Sequence, residues 1–238
     1  MRKILITNDD GINADGLFRL VKAAKKFGKV YIIAPETQRS AMSHSITLRA
    51  HLDVKKVEFP VESVEAYACS GTPADCVRIG CLNIVPDGPD IVLSGINFGY
   101  NCATDLQYSA TVGAAFEARF QGYQAVALSE GVGGCHEATD AYLEQIIEEV
   151  LEKPLDELKI WNVNFPDCKL EDCKGVKRNV LVSNDSIFTD RYVMEELEDG
   201  TMRFAVNGIY EPSGEEGTDL NAIFDNYVAL GVVKNISN

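Results

Sequence analysis

Apolar positions near the N-terminus run without a break through Ile4-Leu5-Ile6 and stop at Thr7-Asn8-Asp9-Asp10-Gly11, the pattern of a short buried strand closed by turn residues. The period then changes: Leu17, Leu20, Val21, Ala24 and Phe27 recur at helical spacing with Lys22, Lys25 and Lys26 on other faces, which predicts a surface helix with Gly28 as its C′ stop. Val30 to Ala34 is a second apolar run, ended by Pro35, so the opening reads as a strand, a helix and a strand of the right-handed crossover type. Further strands are predicted at Val64 to Ala68, Asp90 to Ser94, Ala125 to Ser129 and Ile160 to Asn164. Helices are predicted at about Pro73 to Leu82, Ser109 to Phe120 and Thr139 to Leu151, with Pro73 in a first helical turn. From Val176 onward, short β-rich runs (Asn179 to Ser183, Met202 to Val206, Tyr227 to Val233) alternate with charged, glycine-containing stretches and read as hairpins without a helix.

This order implies an α/β fold: a three-layer α/β/α, doubly wound, mostly parallel Rossmann-like sheet with a C-terminal β-hairpin extension. A chain of 238 residues, 46% hydrophobic, buries a full core, and residues 1–238 read as one domain. The core spans about 1–175, and an appended β region, suited to contact a second subunit, spans about 176–238. No apolar stretch reaches the ~18 residues of a membrane span, and Met-Arg-Lys leads straight into a strand, so a soluble, cytoplasmic protein without a membrane partner is expected. Seven cysteines at irregular spacings, without Cys-x-x-Cys, fit reduced thiols rather than a disulfide framework or a zinc site. The net charge of −14 argues against a duplex nucleic-acid partner, which would call for Lys and Arg against phosphate. An anionic substrate would have to be met locally, by a cation and by helix N-termini.

Candidate chemistry gathers at strand ends. Asp9 and Asp10 follow the first strand, Ser40 lies in the polar loop Glu36 to Thr47 after the second, and Asn97 and Asn101 lie in the glycine-rich stretch Ser94 to Asn101. In a parallel sheet these all face the rim where ligands bind. Two carboxylates, a hydroxyl and an amide oxygen are an oxygen-donor set, suited to Mg²⁺ or Mn²⁺ rather than zinc. Tyr108-Ser109-Ala110-Thr111 opens a helix with hydroxyls, and a helix N-terminus beside a cation makes a phosphate pocket. Each segment also has an ordinary reading: Asp-Asp-Gly as a turn, Asn97 as part of a Gly/Asn turn, Ser109 as an N-cap.

Ile6-Thr7-Asn8-Asp9-Asp10-Gly11 resembles the opening motif of the SurE family of metal-dependent nucleotidases and acid phosphatases. Ala34-Pro35 with Gln38-Arg39-Ser40-Ala41 and His44-Ser45-Ile46-Thr47-Leu48 is similar to its second motif, Gly71-Thr72-Pro73-Ala74-Asp75-Cys76-Val77 to its third, and Ser94-Gly95-Ile96-Asn97 with Gly99 and Asn101 to its fourth. Asn162-Val163-Asn164-Phe165-Pro166 and Glu216-Gly217-Thr218-Asp219 are similar to later segments, in the expected order. The resemblance implies one divalent cation per subunit, Mg²⁺ or Mn²⁺, held by Asp9, Asp10, Ser40 and Asn97. Asn101, Ser109 and Thr111 then lie near the phosphate, and Asn8 within the pocket. It implies a 5′-nucleotidase, with 3′-nucleotides and polyphosphate left open as substrates, and a homodimer or tetramer. Ala103 and Ala110 stand where the family often has glycine, and Tyr227-Val228-Ala229-Leu230-Gly231 differs from the usual Tyr-Val-Ser-Ile-Thr.

The expected reaction is hydrolysis of a nucleoside monophosphate by a metal-activated water, with Asp9 and Asp10 as the catalytic pair. Two rivals use the same pocket: an aspartyl-phosphate intermediate, and a nucleotide or metal sensor without turnover. A dinucleotide-dependent oxidoreductase is disfavoured, because the first turn carries two aspartates and no Gly-x-Gly-x-x-Gly.

Overall fold

The structure is a computed structural model that describes residues 1–156, 158–189, 191–210 and 213–235. Its strands are β1 (Lys3–Thr7), β2 (Lys29–Pro35), β3 (Val54–Val57), β4 (Glu65–Cys69), β5 (Ile91–Phe98), β6 (Gln124–Glu130), β7 (Lys159–Phe165), β8 (Val176–Val180), β9 (Phe188–Thr189), β10 (Tyr192–Glu196), β11 (Met202–Val206), β12 (Ile209–Tyr210) and β13 (Val228–Lys234). Its α-helices are α1 (Asp15–Ala24), α2 (Pro73–Ile79), α3 (Ala110–Phe120), α4 (Glu137–Glu152) and α5 (Asp219–Phe224).

Among the described residues a nine-stranded sheet runs in the order β3-β4-β2-β1-β5-β6-β7-β13-β8. The neighbours from β4 to β7 pair in parallel, while β3 is antiparallel to β4 and β13 antiparallel to β7. Successive crossovers leave β1 in opposite directions, to β2 on one side and toward β5 on the other. Such a reversal opens a crevice outside the carboxyl ends of the two central strands. Alternation along β1 divides the core: Ile4 and Ile6 pack with Leu17 and Leu20 of α1 and Ile146 and Ile147 of α4. Leu5 packs on the opposite face with Val77 of α2 and Val112 and Ala115 of α3. Helices on both faces make the fold three-layered, as the alternating pattern predicts.

The differences have local causes. Gly28 is not a C′ residue: α1 ends at Ala24, and Gly28 instead lets the chain pass against the carbonyl of Arg2, where a Cβ would collide. Strand β3, Val-Lys-Lys-Val, is a half-exposed edge whose pattern is too short to register in the sequence. The helix expected to reach Leu82 leaves α geometry after Ile79 and finishes in a π turn, Gly80–Ile84.

The C-terminal region contains antiparallel hairpins, β10 against β11 and the small pair β9 with β12; of the expected runs Met202 to Val206 is β11, whereas Tyr227 to Val233 and the start of Asn179 to Ser183 fall in strands of the main sheet. It also contains α5, which the hairpin reading omits, because six residues complete too few turns to show a period. Thr218 caps that helix by accepting from the Asn221 N–H at 3.3 Å. Strands β8 and β13 return to the main sheet, with β13 buried along most of its length beside β7. Chain after residue 175 is thus partly integral to the core.

The β8 edge is fastened to α4 by Arg178, whose Nε and Nη2 donate to Glu149 at 2.9 and 2.8 Å, with Lys153 adding a bond of 2.8 Å. The Arg178 bonds, against the opposing cost of burial and helped by Lys153, hold the Glu149 carboxyl down at about 2 rather than 4.5. A lowered folded-state value means the contribution is complete above pH 4.5 and disappears as the pH falls toward 2. Because Arg178 is partly exposed, Glu149→Gln should lower stability at neutral pH by only about 1 kcal/mol. Urea unfolding at pH 7 and near pH 2 should show the deficit only at the higher pH; an equal deficit at both would sink this role.

Candidate active site

Strand β1 ends at Thr7, beside Ser94 of β5, and the chain then turns through Asn8 to Gly11. The Asn8 side chain closes the turn, donating to the Gly11 carbonyl at 3.0 Å and accepting from the Gly11 N–H at 3.2 Å. This sets Asp9 and Asp10 in the crevice between β1 and β5. Asp9 is 3% exposed; its Oδ1 accepts from the Thr111 hydroxyl at 2.7 Å, and its carbonyl accepts from the Arg39 N–H at 2.6 Å. Asp10 Oδ2 accepts from the Phe98 N–H at 3.0 Å. The Gln38 amide nitrogen reaches both Asp10 Oδ1, at 3.3 Å, and the Ser40 hydroxyl, at 3.0 Å.

A bulge in β5 delivers the Phe98 N–H. Ser94 pairs with Ala127 and Asn97 with Ser129, so β5 takes one residue more than β6 over this step. Gly95 is required there: its φ is +144°, and a Cβ would collide with the Leu128 carbonyl. Beyond the bulge, the Asn97 amide nitrogen donates to the Gly99 carbonyl at 2.7 Å, so that its amide oxygen is not used by this bond. Asn101 is anchored in the sheet. Its carbonyl accepts from Asn162 and Asn164 at 2.9 and 3.0 Å, its N–H donates to Asn164 Oδ1 at 2.8 Å, and its side chain donates to Ser129 at 2.8 Å.

The N-terminus of α3 closes the site. Ser109 is its N-cap, accepting from the Val112 N–H at 3.0 Å, and Thr111 in the first turn reaches Asp9. The loop from Glu36 to Thr47 is held against this helix by the Ser43 N–H on the Tyr108 carbonyl at 2.9 Å and by His44 Nε2, 2.7 Å from Glu117 Oε2. Thr47 donates twice to Asp75, through N–H at 3.0 Å and hydroxyl at 2.7 Å, while Asp75 completes a capping box with Thr72 at the start of α2.

Electrostatics single out the aspartates. Burial pushes the Asp9 carboxyl up to about 6 from 3.8; the Thr111 bond opposes that rise and the Asp10 charge adds to it. Burial also raises Asp10, opposed by Phe98 and Gln38 and assisted by the charge of Glu130. Glu130 lies at the end of β6 and is itself paired with Arg19 at 2.6 Å. Of the two neighbouring carboxylates Asp9 is buried and Asp10 half-buried, and a cation beside such a pair offsets its repulsion. Among the described residues no three His, Cys, Asp or Glu side chains are grouped to hold a metal, and the side chains beside the two aspartates that could add donors, Ser40 and Asn97, carry neutral oxygens. That all-oxygen set fits a hard divalent cation.

The family model described as "Survival protein SurE" matches residues 4–186, spanning all of these elements. The chain belongs to the SurE family. Among SurE relatives, "5'-nucleotidase SurE" from a Thermoanaerobacter species is 41% identical, over 96% of this chain and 90% of the relative. The protein of the same description from Clostridium botulinum is 38% identical, over 95% and 90%. The crystal structure of the SurE protein from Aquifex aeolicus superposes with a TM-score of 0.86 at 31% identity, covering 99% of this chain and 95% of that one.

The SurE motifs thus converge in space. Asp9, Asp10, Ser40, Asn97, Ser109 and Thr111 come from the segments that frame the β1/β5 crevice, whereas Asn8 and Asn101 have side-chain bonds that shape the chain around it. Gln38 is the residue that sequence reasoning passed over: it stands in the second motif, but only the fold shows its amide linking Asp10 to Ser40. Ala103 has φ +51°, a left-handed conformation that favours glycine, in keeping with the glycine often found there in the family. Since the Thr111 bond opposes the rise of Asp9, Thr111→Val should move that carboxyl above about 6 in metal-free protein. Carbonyl-carbon NMR titration of Asp9 would show it, and an unchanged midpoint would refute the 2.7 Å bond as a determinant.

Proposed function

We propose that this chain is a phosphomonoesterase acting on nucleoside monophosphates, a 5′-nucleotidase using one Mg²⁺ or Mn²⁺ held by Asp9, Asp10, Ser40 and Asn97. The observation that carries the reading is the meeting of paired carboxylates with the start of α3, through the 2.7 Å Thr111–Asp9 bond at the β1/β5 crevice. The names of the relatives support nucleotides as the substrate class. A bound divalent cation supplies Lewis acidity that lowers the pKa of an attacking water and offsets phosphoryl charge. Asp9 and Asp10 orient that water, and one of the two carboxylates, or a group behind them, takes its proton. The Ser109 hydroxyl and the first N–H groups of α3 hold non-bridging phosphate oxygens, where the helix dipole favours negative charge. Thr111 fixes the Asp9 rotamer, and Gln38 keeps Asp10 and Ser40 in register.

The test is phosphate release from AMP by the intact protein, with and without EDTA. Release that EDTA abolishes and Mn²⁺ restores is expected, and Asp9→Asn should lower turnover about 100-fold or more while leaving the melting curve intact. Near-normal turnover by that variant with added Mn²⁺ would sink the assignment. AMP binding without release would mean a sensor.

A homodimer or tetramer built through the C-terminal β region belongs to the same reading. It is supported by β10 and β11, where Tyr192, Val193, Met194, Met202, Phe204 and Val206 are all exposed despite being apolar or aromatic. Light scattering should give a multiple of the 26.1 kDa chain mass, and Met194→Ser with Phe204→Ser should reduce it. A monomeric wild type would refute the assembly.

A further inference from the structure

Over the carboxyl ends of β5, β6 and β7, on the same rim as the aspartate pair, lies a cavity of about 650 Å³. Tyr100 after β5, Val132 after β6 and Asp167 after β7 line one side; Phe188, Tyr210 and Phe224 from the C-terminal region line the other. The aromatic rings form a continuous corner. Phe188 and Tyr210 have centroids 5.6 Å apart at 51°, and Tyr210 and Phe224 are 5.9 Å apart at 78°. Phe188 and Tyr210 are 47% and 53% exposed, so ring surface is open to a ligand.

Two polar side chains of the lining, Asp167 and Tyr100, are already engaged. Asp167 accepts from the backbone N–H groups of Gly133 and Cys135, and the Tyr100 hydroxyl accepts from the Asp167 N–H at 2.9 Å. What the cavity offers is therefore mainly flat apolar surface, suited to an aromatic ring.

The wall of the cavity adjoins the candidate active site along the chain. Gly99, on its wall, accepts the Asn97 side chain, and Phe98 between them donates its N–H to Asp10. Two residues of chain, at most about 7 Å, separate Asn97 from that wall. Asp10, which accepts from Phe98, and Asp9, which accepts from Thr111 of α3, stand between that wall and the start of the helix.

We propose that this cavity receives the base of the nucleotide, stacked against Phe188 and Tyr210, which makes these two residues determinants of substrate choice. The proposal rests on the nucleotidase reading and adds the subsite that separates nucleotides from other phosphomonoesters. Stacking of a base on an aromatic side chain is worth enough to change affinity about tenfold.

The experiment compares wild type, Phe188→Ala, Tyr210→Ala and Tyr210→Phe. It measures kcat/KM for AMP and for glycerol 2-phosphate, adenosine binding by calorimetry, and mass by light scattering. The AMP to glycerol 2-phosphate ratio should fall about tenfold in each alanine variant, with adenosine binding weakened to match, while Tyr210→Phe keeps both. An unchanged ratio with unchanged adenosine binding overturns the proposal. So does a change in oligomeric mass at an unchanged ratio, which would make the cavity a contact between copies, or a Tyr210→Phe loss equal to that of alanine, which would replace stacking by a hydroxyl bond. If wild type hydrolyses neither ester yet binds adenosine in a Phe188- and Tyr210-dependent way, the base pocket stands and the nucleotidase reading falls.

Discussion

Two carboxylates adjacent in the chain cannot both be desolvated at the mouth of a parallel sheet unless hydrogen bonds and positive charge are brought to them. Asp9 and Asp10 are in that position. Thr111 from α3, the Phe98 N–H from the β5 bulge and Gln38 from the second-motif loop each bring a donor to one of the pair. Their repulsion is compounded by Glu130, whose charge is largely answered by Arg19 on α1. A loop, a strand bulge and a helix terminus are thus placed by one electrostatic demand.

The supporting parts of the fold keep those donors still. The loop after β2 carries Gln38 and Ser40, and would be free to leave the crevice if it were not attached along its length. It is attached to Asp9 through Arg39, to α3 through Ser43 and His44, and to α2 through Thr47 and Asp75. On the other side, Asn162 and Asn164, two residues apart on β7 and hence on one face, grip the Asn101 backbone. Asp219 accepts from the N–H groups of Ala103, Ser183 and Leu220, and so joins the glycine-rich segment to the C-terminal region. The bonds of Asn101 and Asp219 are buried, where leaving a partner unpaired is costly, and those of His44 and Thr47 are partly so; together they define one arrangement of the rim.

The C-terminal region has two characters. Strands β8 and β13 and helix α5 complete the sheet and a third apolar cluster around Leu220 and Ile223, whereas β10 and β11 project apolar side chains outward. Between them, β9 and β12 bring Phe188 and Tyr210 over the ends of β5 to β7. The polar end of the rim, around the aspartates, and its aromatic end are therefore built by different parts of the chain.

Local pattern determined much of this. Uninterrupted apolar runs between turn residues mark β1, β2, β5, β6 and β7, helical spacing marks α1, α3 and α4, and Pro73 and Ser109 mark helix starts, because burial and capping act within a few residues. The motifs likewise name Asp9, Asp10, Ser40 and Asn97 as oxygen donors. Elements too short to repeat a period, β3 and α5, leave no such trace, and the return of β13 to β7 depends on pairing between residues far apart in the chain, from Asn164 with Ala229 to Lys159 with Lys234. Only the tertiary structure decided which donor meets which carboxylate, that Gln38 links Asp10 to Ser40, that Asn8 and Asn101 shape the rim, and that an aromatic cavity adjoins it. Those facts follow from long-range register and packing, and hydrophobic periodicity carries no information about either.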